Sequence, residues 1–390
     1  MKIAILGYGT IGSGVYEIIQ QSKAFDLQGL EVVKVLDLPQ NKDKLDIITT
    51  DVNDIIEDPF IDCVVEVMGG IHPAYEFISA ALKNKKHVVS ANKAVVAAHI
   101  EEFTTLALNN GVQFLFEAST GGGIPWIASL KKAQRIDNIN HFYGIFNGTG
   151  NYILDAMTHQ GKDFAVVLKE AQTLGYAEAN PSADIDGYDV QNKVVISSAV
   201  AFHTIVDMKD FLCYGIRNIT KEDIAYFKTL GLTVKYIGEA TINQTHYEAF
   251  VMPNLFDQNA VEANVHSNFN IATLNTPSIG SLKFYGQGAG KLPTANAIVQ
   301  DIIDITCSHH SPSFSFSNQL TYKATQKNTF VIRTNTNIVD ITIDKTVVIA
   351  SNYYLHTKEI DADMLRALID KCNDETLFVA KVATFEGYKR

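Results

Sequence analysis

The sequence predicts an α/β protein with a doubly wound parallel sheet at its N-terminal end, an α+β domain after it and a small α+β module last. Three observations carry this. Short apolar runs alternate with amphipathic stretches from Lys2 to about Lys131. A Gly-x-Gly-x-x-Gly turn (Gly7, Gly9, Gly12) joins the first run to the first helix. After Arg135 the pattern changes to helices mixed with β-type runs.

The runs are KIAILG, EVVKVLD, DCVVEVMG, HVVSAN and QFLFEA. Each reads as a short strand followed by a helical span, such as 73–83 or 99–109, so they form repeated βαβ units with parallel strands. Right-handed crossovers wind the helices onto both faces, giving a Rossmann-type layer. In the glycine turn, Gly7 suits the tight bend, Gly9 a close approach of backbone to a pyrophosphate, and Gly12 the packing of helix 11–21 on its strand. The phosphate would sit at the helix N-terminus. Asp37 ends the second strand, where a carboxylate accepts the ribose hydroxyls of NAD and an Arg would take the 2′-phosphate of NADP. Lys42 and Lys44 are also within reach of a phosphate, so NAD is favoured and NADP stays open.

From 136 to about 282, helices at 164–174, 190–202 and 221–230 accompany TVKYIGEATI and HYEAFVMPNL, whose alternation predicts an antiparallel, half-exposed sheet. A Gly-rich segment, 286–302, starts a helix with Pro293 near its first turn. The tail, from the loop SPSFSFSN onward, reads strand, strand, helix, strand. The expected division is 1–133 plus 286–310, then 134–285, then 311–390.

Composition narrows the function. The chain has 390 residues, 46% hydrophobic and 19% charged, enough for large cores, and its net charge of −11 offers no attraction to nucleic acid or anionic membrane. Four scattered cysteines without a CxxC pair fit a reducing compartment rather than a disulfide or zinc framework. An apolar strand begins at Lys2 with no basic segment or long apolar stretch ahead of it. A cytoplasmic location is therefore expected. GxSxG, Walker and HExxH motifs are absent, which removes support for hydrolase and NTP-driven classes. His309 and His310 have no acidic or cysteine partner at metal-ligand spacing and read as surface residues, and Cys63 reads as core.

The densest polar cluster, residues 174–195, holds Glu178, Asp184, Asp186, Asp189 and Lys193. Such a run can be a solvated face. Asp186 and Gly187, however, look like a helix start, which places Asp189 and Lys193 four apart on one face. Val190, Val194 and Val195 flank Lys193 and would partly desolvate its amine, and a lysine so held can donate a proton to a carbonyl. Glu178 and Asp184 would suit the ammonium of an amino-acid substrate. Lys93, past the fourth strand, reads equally as a cleft residue or a structural helix opener. The glycines of FEASTGGGIPWI give a hinge or point carbonyls at a cation, and Gly148 and Thr149 either turn the chain or bind a carboxylate.

In order and spacing, GYGTIG (7–12), SANKA (90–94), EASTGGGIP (117–125), GIFNGTGNYIL (144–154), LGYAEANPSADIDGYDVQNK (174–193) and GQGAGKLPTA (286–295) resemble the homoserine dehydrogenase family. The resemblance spans about 1–305. It implies NAD(P)-dependent interconversion of L-aspartate 4-semialdehyde and L-homoserine on the way to threonine and methionine, by a homodimer. It also implies that Lys193 is the proton donor with Asp189 beside it, and that Lys93 is a second active-site lysine near the nicotinamide. Glu178, Asp184, Gly148, Thr149 and Tyr176 match substrate-binding positions. Gly7, Gly9, Thr10, Ile11, Gly12, Asp37, Ser90, Lys93 and Gly288 match cofactor-binding ones. Glu117, Thr120, Gly122 and Ile124 match a site for sodium or another monovalent cation. The chain departs from the usual family pattern at Gly150, Asn180, Gln287 and Lys291, and lacks an Arg after Val35. Some relatives end in a βαββαβ amino-acid-sensing domain of ACT type. The tail here is expected to be a shortened or degenerate version, with threonine as the implied effector.

Overall fold

The computed structural model describes residues 1–307, 316 and 319–383. A six-stranded parallel sheet is built from β1 (Lys2–Leu6), β2 (Glu31–Leu36), β3 (Ile48–Thr49), β4 (Cys63–Glu66), β5 (His87–Ser90) and β6 (Phe114–Leu115) in the order β3-β2-β1-β4-β5-β6. The doubly wound expectation holds. Alternate residues of β1 enter two cores: Ile3 and Ile5 meet Val15 and Ile298, while Ala4 and Leu6 join Ile78 and Leu82. Helices must therefore cover both faces. The strand order reverses between β1 and β4, which opens a crevice at their carboxyl ends.

In this sheet the one strand the pattern did not reveal is β3, two residues long and too short to show alternation. The helix expected at 99–109 runs from Lys93 to Asn110, because the Asn92 side chain accepts the Val95 N–H at 3.4 Å and caps it six residues earlier. Its periodicity is broken at His99, whose φ of −134° is non-helical. The helix Lys291–Thr306 returns to the first sheet and packs so closely on helix Thr10–Gln21 that a Cβ on Gly14 would stand 3.0 Å from Lys291 Cγ.

The second sheet holds β7 (His141–Ile145), β8 (Leu212–Cys213), β9 (Leu232–Asn243), β10 (His246–Asp257), β11 (Phe269–Thr276), β12 (Gly280–Gln287), β13 (Thr321–Tyr322), β14 (Phe330–Thr334), β15 (Ile343–Ile349), β16 (Asn352–Thr357) and β17 (Phe378–Val382). Its main path is β12-β11-β7-β9-β10-β17-β14-β16-β15, with β8 and β13 also paired to β10. The hairpin β9–β10 is antiparallel as expected, but not half-exposed: β10 is buried from Tyr247 to Phe256. Ala249, Val251 and Leu255 belong to the main core, whereas Phe250 and Met252 pack with Leu365 and Leu368 of helix Ala362–Cys372. The second covering layer comes from the tail, which local alternation could not foretell.

That tail has four strands, β13 to β16, ahead of its helix, two more than expected. Ala350, at φ 53°, turns the hairpin β15–β16. No helix lies between β14 and β15 among the described residues. The tail shares the second sheet rather than standing apart. β17 pairs in parallel with β10 at Asn254 and Leu255, and Arg333 of β14 reaches Asp223 of helix Lys221–Thr229. Arg333 also donates to the carbonyls of Thr376 and Asn218, and Tyr354 Oη donates to Asp223 at 2.8 Å. His309 and His310 lie outside the described residues, as does the 311–318 loop apart from Phe316. Among the described residues, no helix is long and apolar enough to cross a membrane.

Both Arg333 and Asp223 are almost fully buried, so removing one partner strands the other's charge. Arg333→Ala is expected to cost about 3–5 kcal/mol of stability, read as a lowered guanidinium midpoint.

Candidate active site

The glycine turn has the geometry of a phosphate cradle. Gly7 sits at φ 104°, in the left-handed region, and a Cβ on Gly12 would lie 1.9 Å from the Gly7 carbonyl oxygen. A Cβ on Gly9 would meet nothing within 4 Å, so the space above it is open. Thr10 and Ile11 begin the helix Thr10–Gln21, which has no side-chain cap and no acidic residue in its first turn. Its leading N–H groups and dipole are left for an anion. Asp37 accepts the Tyr8 N–H at 3.1 Å and the Leu38 N–H at 2.7 Å, tying the end of β2 to the turn. Lys42 and Lys44 are exposed on the short helix Pro39–Lys44. Lys291 is engaged by Glu17, Nζ to Oε2 2.7 Å, so its charge is already bound.

At the carboxyl ends of β4 and β5, Glu66 is completely buried. It accepts from Ser90 Oγ at 2.6 Å, from the Met68 N–H at 2.9 Å and from Asn92 Nδ2 at 3.3 Å. Burial pushes its carboxyl above the usual range, and these donors pull it back. Ser90 is fully buried, its hydroxyl also receiving the Asn92 N–H. Together they fix the turn from which Lys93 departs.

Across the crevice stands helix Tyr188–Phe202, opened by Gly187 at φ 105°. Asp189 and Lys193 occupy one face of it as expected, with Nζ to Oδ2 2.7 Å. Lys193 also donates to the Phe146 carbonyl at 2.6 Å. Lys93 reaches over from the first sheet and places Nζ 2.5 Å from Asp189 Oδ1. Asn147 Nδ2 donates to Asp189 at 2.8 Å and to Asp184 at 2.7 Å, while its Oδ1 accepts the Gly150 N–H and caps helix Gly148–Gln160. Two carboxylates thus face two ammonium groups in one site. Burial opposes ionisation of Asp189, but Lys193 and then Lys93 outweigh it and hold the carboxyl well below its ordinary value. Burial pushes the Lys193 amine down, against Asp189, which pushes it up; Lys93 adds to the fall. Asp189 raises Lys93. Asp184 is pushed up by burial. Thr149 Oγ1 donates to the Tyr176 carbonyl at 2.6 Å, which closes the loop carrying Tyr176 and Glu178 over the helix start, both side chains exposed.

Residues 125–303 match the homoserine dehydrogenase family model and residues 7–117 match that family's NAD-binding domain. The chain is 42% identical to a homoserine dehydrogenase of Synechocystis over 80% of its length and 76% of the relative's, and 39% identical to one of Bacillus subtilis over 78% and 72%. This chain belongs to the homoserine dehydrogenase family. It is an NAD(P)-dependent oxidoreductase of amino-acid biosynthesis. A homoserine dehydrogenase structure from Thiobacillus denitrificans superposes with a TM-score of 0.87 at 30% identity, covering 98% of both chains, and one from S. aureus with 0.78 at 32%, covering 99% of both. Those spans include the C-terminal strands, so the tail is part of the fold shared with these dehydrogenases.

For a homoserine dehydrogenase, the structure gathers Lys193, Asp189, Lys93 and Asp184 into one ion cluster beside Gly148 and Thr149. The expected cation residues lie at another corner. Both Glu117 carboxylate oxygens are taken by backbone, the Ile127 N–H at 2.8 Å and the Ala128 N–H at 2.7 Å, so its carboxylate caps helix Trp126–Ala133. Burial pushes Glu117 up to about 7 against these two donors and Lys131. Gly122 abuts Gly288, where a Cβ on Gly122 would stand 2.5 Å from the Gly288 backbone. In this corner Thr120 Oγ1 and both amide atoms of Asn270 are buried without a hydrogen-bond partner among the described residues. Unpaired buried oxygens and an acid raised by burial fit a small cation. Sequence reasoning missed Asn147 and Glu66. The first had a signal, an Asn directly before Gly-Thr-Gly at a helix start; the second is an acid ending an apolar strand at the ligand edge of the sheet.

Asn147→Ala removes a helix cap and a donor to two buried carboxylates. It is expected to lower stability by about 2 kcal/mol in urea unfolding, with cofactor affinity, measured by fluorescence titration, unchanged.

Proposed function

We propose that this chain reversibly reduces L-aspartate 4-semialdehyde to L-homoserine with Lys193 as the proton donor to the carbonyl oxygen. The observation that carries the reading is the donor count at Lys193. An ammonium has three N–H groups; two go to the Phe146 carbonyl and Asp189, leaving one for the substrate oxygen. The bound nicotinamide supplies the hydride. Burial makes the amine a better acid, and Asp189 keeps it charged until the proton is needed. In the reverse direction the neutral amine takes the hydroxyl proton.

The amino-acid end of the substrate falls to the helix start and its loop. The Gly148 and Thr149 backbone can receive the α-carboxylate at the N-terminus of helix Gly148–Gln160, and Glu178 and Asp184 can receive the ammonium, with Tyr176 beside them. Lys93, half-exposed at the crevice, neutralises the second oxygen of Asp189 and faces the cofactor side. Gly7, Gly9, Thr10, Ile11 and Gly12 take the pyrophosphate, Gly288 flanks it, and Ser90 acts through Glu66 and Asn92. Asp37 favours NAD by accepting the ribose hydroxyls and repelling a 2′-phosphate. A sodium or similar ion is assigned to the Glu117–Ile124 turn, where backbone at Glu117, Thr120, Gly122 and Ile124 would supply its ligands, and the buried Thr120 hydroxyl supports the assignment. A cytoplasmic homodimer completes the proposal. In its support, all four cysteines are free thiols, and β12, the edge strand of its sheet among the described residues, exposes Leu282 and Tyr285.

The reading is tested with L-homoserine and either NAD or NADP, following cofactor absorbance. Lys193→Ala should lose roughly 100-fold or more in kcat; wild-type turnover in that variant removes Lys193 from the mechanism. Homoserine oxidation should rise with pH as Lys193 loses its proton, and semialdehyde reduction should fall. Because Asp189 raises and Lys93 lowers the Lys193 value, Asp189→Asn should move the inflection to lower pH and Lys93→Ala to higher pH. Asp37→Ala should raise the kcat/KM ratio of NADP to NAD roughly tenfold, the effect of about 1.4 kcal/mol of relieved like-charge repulsion. An unchanged ratio assigns Asp37 to holding the turn alone.

A further inference from the structure

Well along helix Gly148–Gln160 from the turn that holds Gly148 and Thr149, Asp155 and His159 stand one turn apart on the same face, and His266 meets them from the loop ahead of β11. His266 Nδ1 is 3.0 Å and His159 Nε2 3.3 Å from the same oxygen, Asp155 Oδ1. The imidazole rings are 5.1 Å apart at 63°, and one ligand atom from each of the three residues lies within 4.8 Å of the others. We propose that Asp155, His159 and His266 bind one divalent transition-metal ion of the zinc type.

The spacing is that of ligands around a common centre. Donors held about 2.0–2.1 Å from a zinc ion in tetrahedral or octahedral array stand about 3.0–3.4 Å from one another, the separation seen between the carboxylate oxygen and each imidazole nitrogen. Two imidazoles and one carboxylate select zinc, cobalt or nickel over magnesium and calcium, which prefer all-oxygen sets. Both histidines are half-exposed, so the ion can enter from solvent and keep water at its open position. The carboxylate is already oriented: its other oxygen, Oδ2, accepts the Ser267 N–H at 2.9 Å. The loop bearing His266 is held as well, since Asn151 Nδ2 donates to the carbonyls of Val265, Ser267 and Phe269. Lys235 lies behind, Nζ 3.8 Å from Asp155 Oδ1, with its proton donors turned to the Val265 carbonyl and Asn151. Its charge weakens the site and does not block it.

The location gives the ion a structural consequence. Asn268 of the same loop packs against Gly148 so tightly that a Cβ there would lie 2.7 Å from the Asn268 carbonyl oxygen. An ion at Asp155 therefore fastens the loop to the helix whose first turn opens on the crevice.

The test is titration of the full chain with zinc chloride by calorimetry, alongside cobalt(II) chloride followed by its visible absorption. One ion per chain is expected, with a cobalt spectrum of low coordination number and a raised melting temperature on zinc addition. His159→Ala and His266→Ala should each weaken zinc binding by more than about tenfold, and both should keep the metal-free melting temperature, since both side chains are exposed. Zinc binding with unchanged affinity in both variants puts the ion elsewhere and overturns the proposal. Absence of binding to the wild-type chain overturns it equally and leaves a hydrogen-bonded cluster.

Discussion

The organisation of this molecule turns on the buried carboxylate of Asp189. It is 2% exposed, and a lone charge in such a place is among the most costly things a fold can hold. Three partners from three parts of the chain offset that cost: Lys193 from the same helix, Lys93 by its charge from the helix after β5, and Asn147 from the end of β7. Asp184 brings a second negative charge through Asn147. The count is then two of each sign, and the crevice walls are drawn together by charges that cannot be satisfied apart.

Helix Tyr188–Phe202 delivers Asp189 and Lys193 to this point, and its own placement follows from packing. It is buried on nearly every face, because it runs between the two sheets rather than along a surface. Gly238 of β9 lets it approach: a Cβ there would stand 2.5 Å from Val190 and 2.7 Å from Val194. Trp126 Nε1 donates to Ser197 Oγ at 2.8 Å, and Gln134 donates to the Val200 and Ala201 carbonyls near its C-terminus. These bonds fix the position of an otherwise apolar helix along its length.

What could be read in advance follows the range of the forces involved. Strand alternation, the glycine turn and the i, i+4 pair Asp189 and Lys193 are local, and the sequence carried them plainly. The second covering of β10 and the merging of the tail with its sheet depend on residues more than seventy positions away, and no window on the hairpin contains them. Lys93 lay between these cases. Its sequence context allowed a structural or a cleft residue, and only the approach of helix Tyr188–Phe202 brought it against Asp189. Asn147 was legible as a helix cap but not as a bridge, because its two carboxylate partners come 37 and 42 residues later.

The two lysines at Asp189 have different mechanical origins, one on helix Lys93–Asn110 and the other on helix Tyr188–Phe202. Their juxtaposition is therefore a readout of closure. Sliding the first layer outward by about 2 Å, a common amplitude for domain shear, would carry Lys93 off Asp189 and leave Lys193 with the whole carboxylate. Losing a neighbouring cation and keeping an undivided anion both tighten the hold of Lys193 on its proton. Lys93 beside Asp189 therefore leaves the Lys193 ammonium a better acid than Asp189 alone would, and that help lasts only while the two helices stay in contact.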